Sequence, residues 1–201
     1  MQLDPAQTDP GQVYSQMIRA ITPRPIAWIS TVSPSGVVNV APFSYFNGVC
    51  SQPAALMFSA VNKPDGAPKD TIRNIEANGQ FVVNVVCEEA ATAMFATSEP
   101  YDYEVSEVDL CGLTSRPSHK VAPPGIEQSP VQLECQVFET LSIGTGRYAA
   151  TVVIGQILWM RADDDVLDER GRIDPARLKS IGRLGGRAYC RTQDRFDLPS
   201  D

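Results

Sequence analysis

The chain has 201 residues, 43% of them hydrophobic, with 16 prolines and 14 glycines spread throughout. That is enough apolar material for one sizeable core, and breakers so widely placed exclude a helical bundle. Against 24 acidic side chains stand 17 basic ones, a net charge of −7 that disfavours nucleic acid and anionic membranes and points to a small-molecule partner.

Met1 to Pro5 carries no basic-then-apolar leader, and no apolar run approaches the roughly 18 residues of a membrane span. A single cytoplasmic domain over residues 1–201 is the resulting expectation. The five cysteines, at 50, 87, 111, 135 and 190, stand singly beside apolar residues and are expected to be reduced and buried. With His119 the only histidine, and in a loop segment, a His-based metal site is set aside.

The first predicted element is a hairpin. Ile26 to Val32 and Val37 to Val40 are rich in β-branched and aromatic residues, and Ser33-Pro34-Ser35-Gly36 between them suits a type I turn. Alternation puts Trp28 and Ser30 on one face, Ala27, Ile29 and Thr31 on the other. Ala41-Pro42-Phe43-Ser44-Tyr45-Phe46-Asn47 reads either as a pocket-lining loop or as a kinked edge strand whose aromatics fill the core.

Leu56 to Val61 is strand material, and turn chemistry at Asp65 to Pro68 leads into a short helix opening at Asp70 or Thr71 and stopping at Asn78-Gly79. The first-turn N–H groups, Lys69, the Thr71 hydroxyl and, as a further candidate, Arg73 form a phosphate cradle; the competing reading makes Asp70 a plain N-cap. Gln80 to Val86 is a strand and Glu88 to Thr97 an amphipathic helix.

Val131 to Ile143 and Ala149 to Met160 are two long strands expected to pair across Gly144-Thr145-Gly146. Those glycines match the G-x-G-x-x-A dinucleotide pattern, but β-branched Ala150 to Ile154 follows where that fingerprint needs a helix, so the match is discounted. Asp163-Asp164-Asp165 reads as a solvated turn and Asp174-Pro175 as a helix start. Four arginines in Arg183 to Arg195 share a spacing of four, yet Gly185-Gly186 favours an extended tail.

Pro23-Arg24-Pro25-Ile26-Ala27-Trp28 with Ser30-Thr31, Asn39-Val40-Ala41-Pro42-Phe43-Ser44, Lys69-Asp70-Thr71 with Asn74-Ile75, Gly79 to Asn84, Gly112-Leu113-Thr114, Glu134-Cys135 and Arg183 to Tyr189 occur in that order, and together they resemble the flavin reductase-like family of FMN-binding split-barrel proteins, which includes flavoredoxins. The resemblance implies a mainly β, six-stranded Greek-key split barrel with peripheral helices, a homodimer with FMN, rather than FAD, near the subunit interface. Ser30, Thr31, Asn39, Ala41 and Ser44 would contact the flavin or its ribityl chain, with Tyr45, Phe46 and Trp28 as neighbours of the ring, core packing being the favoured role for Trp28. Lys69, Asp70 and Thr71 would sit at the phosphate end, and Arg183 would assist the anionic cofactor. Two positions depart from the family's pattern: Gln156 stands where Glu is frequent, and Tyr101 to Asp109 lacks an acidic-acidic-Phe run. NADH or NADPH would donate hydride, with no side-chain acid–base pair required. The alternative is an electron carrier serving a protein partner, or a non-catalytic relative.

Overall fold

The computed structural model describes residues 1–199. In chain order the elements are α1 (Pro10–Ala20), β1 (Ala27–Val32), β2 (Val38–Phe43), β3 (Tyr45–Ser51), β4 (Ala54–Val61), α2 (Asp70–Asn78), β5 (Gln80–Val85), α3 (Ala91–Ala96), α4 (Glu107–Leu110), β6 (Ser115–Arg116), β7 (Gly125–Ile126), β8 (Val131–Ile143), β9 (Ala150–Ala162), α5 (Pro175–Leu178), β10 (Ile181–Gly185) and β11 (Ala188–Arg191). The architecture is mainly β with a few short helices, as expected.

One antiparallel sheet carries the order β2-β1-β5-β8-β9-β4-β3. This corrects the expected count of six: the sheet holds seven strands among the described residues, with β10–β11 and β6–β7 as separate two-stranded pairs, and no ladder joins the two edges. The edges β2 and β3 are nevertheless consecutive in the chain, separated by Ser44 alone, so the sheet curls until its two ends meet at one covalent corner.

Pro42 explains why β2 is an edge. It lies in β2 opposite Trp28, and Val40, two residues earlier on the same side, points its N–H away from β1 to a Glu107 carboxylate. Pro42, which has no N–H, therefore occupies an outward position where no ladder bond is lost. The segment Ala41–Phe43 is thus strand rather than loop, and Phe43 packs in the core beside Phe58, with ring centroids 5.2 Å apart.

Two cores flank β1. Ala27 and Ile29 point into the curled sheet with Phe43, Phe58, Phe81 and Val153, and α2 closes this interior with Ile72 and Ile75. Trp28 and Val40 face the other way, under Met94 of α3, Val108 of α4 and Ile126. Both faces of β1 are therefore buried. Trp28 is wholly buried, and its Nε1 donates to Thr97 Oγ1 at 2.9 Å.

Gly155 of β9 is where a ring crosses the sheet interior. A Cβ there would meet Phe81 Cζ at 2.4 Å and Cys135 Cβ at 3.3 Å. Both neighbours are fully buried and cannot swing away. Gly155→Ala should therefore cost about 1–3 kcal/mol of folding free energy by overpacking, read as a lower urea midpoint; an unchanged midpoint would show that Phe81 can move.

The β8–β9 hairpin turns at Gly144 and Gly146, both with positive φ, and strand follows immediately, so the dinucleotide reading fails as expected. The predicted helix at 88–97 shortens to α3. The arginine-rich tail forms the β10–β11 hairpin. Cysteine burial is corrected: Cys87 and Cys135 are buried, but Cys50 is exposed and Cys111 and Cys190 are half-buried. Among the described residues no group of three or more His, Cys, Asp or Glu could hold a metal ion, and no helix is long and apolar enough to cross a membrane.

Candidate functional site

The first turn of α2 stands over β2 because a buried polar chain pins it there. Thr71 Oγ1 donates to Asn39 Oδ1 at 2.9 Å, and Asn39 Nδ2 donates to Glu107 Oε1 at 2.7 Å. The other Glu107 oxygen takes the Val40 N–H at 3.0 Å. A second branch runs from Asn74 Nδ2 to Thr31 Oγ1 at 3.0 Å, and the Tyr103 hydroxyl donates to Asn74 Oδ1 at 2.7 Å. Thr31, Asn39, Thr71, Asn74 and Glu107 are all buried, so each polar atom must find its partner inside the protein.

A cleft of about 320 Å³ opens between this turn, β2 and the segment Thr97–Tyr101. Asn39, Ala41, Lys69, Asp70 and Thr71 all line it, which brings together five residues singled out from the sequence. The N-cap of α2 is Lys69, which makes no side-chain capping bond. The first N–H groups of the helix are therefore available to an anion.

Asp70 does not cap the helix either. Its carboxylate pairs with Lys63 at 2.8 Å and with Arg73 at 3.3 Å, and Arg73 also lies over the Tyr103 ring at 3.7 Å. Lys69 makes no ion pair or side-chain hydrogen bond among the described residues, so it is the cleft's cation without a counter-charge. The Thr71 hydroxyl is turned inward to Asn39, and what that residue offers the cleft directly is its backbone N–H.

Ser44 and Tyr45, at the β2–β3 corner, line a second and mostly apolar cleft of about 520 Å³ with Arg24, Phe46 and Met57. Arg24 is 4% exposed and is held by the Ile18 and Ile21 carbonyls at 2.6 and 2.8 Å and by Ser44 Oγ at 3.2 Å. The Tyr45 hydroxyl is buried without a partner, and burial, then the neighbouring Tyr14, raise its pKa above the usual phenol value while Arg24 opposes them. An orphaned donor of this kind beside an apolar cleft suits a ligand bearing both ring surface and acceptors.

The remaining candidates stand apart. Ser30 is fully buried, donating to the Pro124 carbonyl at 2.5 Å and accepting from Asn84 at 3.1 Å. Thr31 belongs to the buried chain above and lines neither cleft. Arg183 bonds the Tyr189 hydroxyl at 2.6 Å and the Gly186 carbonyl, while its backbone pairs with that of Arg24. Sequence reasoning missed Glu107 and Tyr103 altogether, and it picked out Asn74 only as part of the resemblance, without its role as an organiser of the site. Only Ser106, whose side chain caps α4, announced that Glu107 would open a helix, and nothing local announced its burial.

Residues 18–177 match the family model described as the flavin reductase like domain. An uncharacterized protein of Halalkalibacterium halodurans is 40% identical over 200 residues, covering 98% of this chain and 95% of the relative. Among solved structures, nitrilotriacetate monooxygenase component B from Bacillus cereus superposes with a TM-score of 0.93 at 30% identity, covering 98% of each chain. The 2-nitrobenzoate 2-nitroreductase of Pseudomonas fluorescens gives a TM-score of 0.89 at 29% identity, covering 100% of this chain and 96% of that one.

Proposed function

The chain belongs to the flavin reductase-like domain family, and on that premise we propose that it is an FMN-binding oxidoreductase, taking hydride from NADH or NADPH and passing electrons to free flavin or a small-molecule acceptor. The observation that carries the reading is the uncapped α2 N-terminus with Lys69 unpaired beside it, in a chain of net charge −7 that repels anions elsewhere. Lys69 and the N–H groups of Asp70 and Thr71 would hold the phosphate, Asn39 and Ala41 the ribityl chain, and Ser44 and Tyr45 the ring in the apolar cleft. Ser30 and Thr31 would act from beneath, by fixing the strands and the helix. Arg183 would act at a distance, by fixing the backbone of Arg24.

Bound flavin supplies the hydride acceptor and donor chemistry itself. The protein's residues bind and orient it, and the apolar lining of the second cleft excludes water from the ring. A second copy of this chain is the proposed partner. Phe138 and Leu141 of β8, and Trp159 and Met160 of β9, are large apolar side chains left on the surface, a pattern that marks an interface.

The test is the visible spectrum of the protein after FMN addition and desalting, followed by NADH or NADPH without oxygen. Retained flavin absorbance that bleaches is the expected result. Retained absorbance that does not bleach points to a carrier needing a protein partner. If flavin is not retained, turnover with free FMN is measured next, and its absence would overturn the flavin reading.

A further inference from the structure

Glu107 sits oddly for an anion site. It is 6% exposed, lines the same cleft as Lys69, and points both oxygens at donors of β2. With Glu107 ionised, the Asn39 amide has a single compatible orientation: its NH₂ must face the carboxylate, which turns its oxygen toward the hydroxyls of Thr71 at 2.9 Å and, more weakly, Thr31 at 3.4 Å. The Thr71 proton is then spent inward on Asn39, and only lone pairs of that oxygen remain for the cleft the residue lines.

We propose that Glu107 is a positioning residue that opposes the phosphate: its charge locks Asn39 so that Thr71 cannot donate to the ligand, and loss of that charge lets Asn39 turn over and frees the Thr71 proton for the cleft. The inference rests on the flavin reading above and adds that the affinity of the site for a phosphate ester is held down by one buried carboxylate. Such a site favours an exchangeable flavin over a permanently seated one.

The groups around Glu107 set the direction with pH. Burial raises its pKa above the usual glutamate value, the two β2 donors oppose this, and Asp70 of α2 raises it further. Tyr101 and Cys111, which flank α4, are themselves raised by burial first and by Glu107 among the nearby charges. Lys63 and Lys69 line the cleft with positive charge, Asp65 and Glu99 with negative. A phosphate entering this cleft adds a negative charge, so its binding is coupled to proton uptake at Glu107, and affinity gains as pH falls toward that raised pKa.

The experiment compares dissociation constants of FMN and riboflavin for the wild-type chain, Glu107→Gln and the double variant Glu107→Gln/Thr71→Val, from flavin fluorescence between pH 8 and 5, with circular dichroism to verify folding. The phosphate has its own pKa near 6, which the wild-type and variant chains share and which their ratio removes. At pH 8 Glu107→Gln should bind FMN roughly tenfold more tightly, the worth of one charge-assisted hydrogen bond. The gain should shrink toward acid, be absent with riboflavin, which has no phosphate, and be reduced in the double variant. Equal or weaker FMN binding by Glu107→Gln at pH 8, or an equal gain with riboflavin, would overturn the proposal while leaving the flavin reading standing. Binding of neither flavin by any of the three chains would overturn both.

Discussion

Lys69→Ala is expected to weaken FMN binding by roughly 10- to 100-fold while leaving riboflavin binding and thermal stability nearly unchanged. The size follows from isolation. Lys63 is tied to Asp70 at 2.8 Å, and Arg73 shares that carboxylate and stacks on Tyr103, so their charges are already engaged. Lys69 alone in the cleft has no carboxylate to satisfy, and its removal breaks no hydrogen bond of the fold. Lys63→Ala should have a smaller effect on FMN, because its charge is already spent on Asp70, which Arg73 continues to hold at 3.3 Å. Equilibrium titration of both flavins checks this: an equal loss for riboflavin would place Lys69 away from the phosphate.

Trp28→Ala is the substitution expected to damage the fold most, by about 3–5 kcal/mol. The side chain is wholly buried against Val40, Val86 and Met94, and its removal empties the layer that holds α3 and α4 onto β1. It also takes from the Thr97 oxygen the indole N–H that it accepts, leaving only the bond it donates to the Met94 carbonyl at 2.7 Å. In a chain of this length such a loss lowers the melting temperature by about 10 °C or more. A shift of less than about 3 °C would mean that the outer layer collapses into the space. Because α4 carries Glu107, the same variant should also loosen the Asn39 network and hence the flavin site.

What could be read from the sequence was what is local. The β1–β2 hairpin follows from Ser33-Pro34-Ser35-Gly36, where Gly36 takes φ +88° and the Ser33 N–H bonds the Val37 carbonyl at 2.9 Å. Helix α2 begins at Asp70 and ends at Gly79, with φ +68°, as the αL stop signal indicated. The span of β8 matches residue for residue, since a long β-branched run beside a glycine turn has one good solution. Asp174 caps α5 through the Ala176 N–H, also as read.

What escaped was what depends on tertiary contact. Helix α1 is the exception: its Asp9 cap, Pro10 and an apolar face of Val13, Tyr14, Met17 and Ile18 were local signals that went unread, and the fold buries none of its residues. Pro42 looked like a strand breaker because its edge position is a property of the whole sheet. Ser30 looked like a ligand hydroxyl because the sequence did not show that Pro124 and Asn84 would cover it. Glu107 was invisible for the same reason: 68 residues separate it from Asn39, and only the fold makes them neighbours.

The central claim is that the α2 N-terminus receives the flavin phosphate, and a crystal structure of the FMN complex tests it most directly. The account predicts a phosphate within hydrogen-bonding distance of Lys69 Nζ and of the Asp70 and Thr71 N–H groups, with the ring toward Ser44 and Tyr45. A phosphate held elsewhere, against Arg183 or the Arg24 side of the β2–β3 corner, would contradict it.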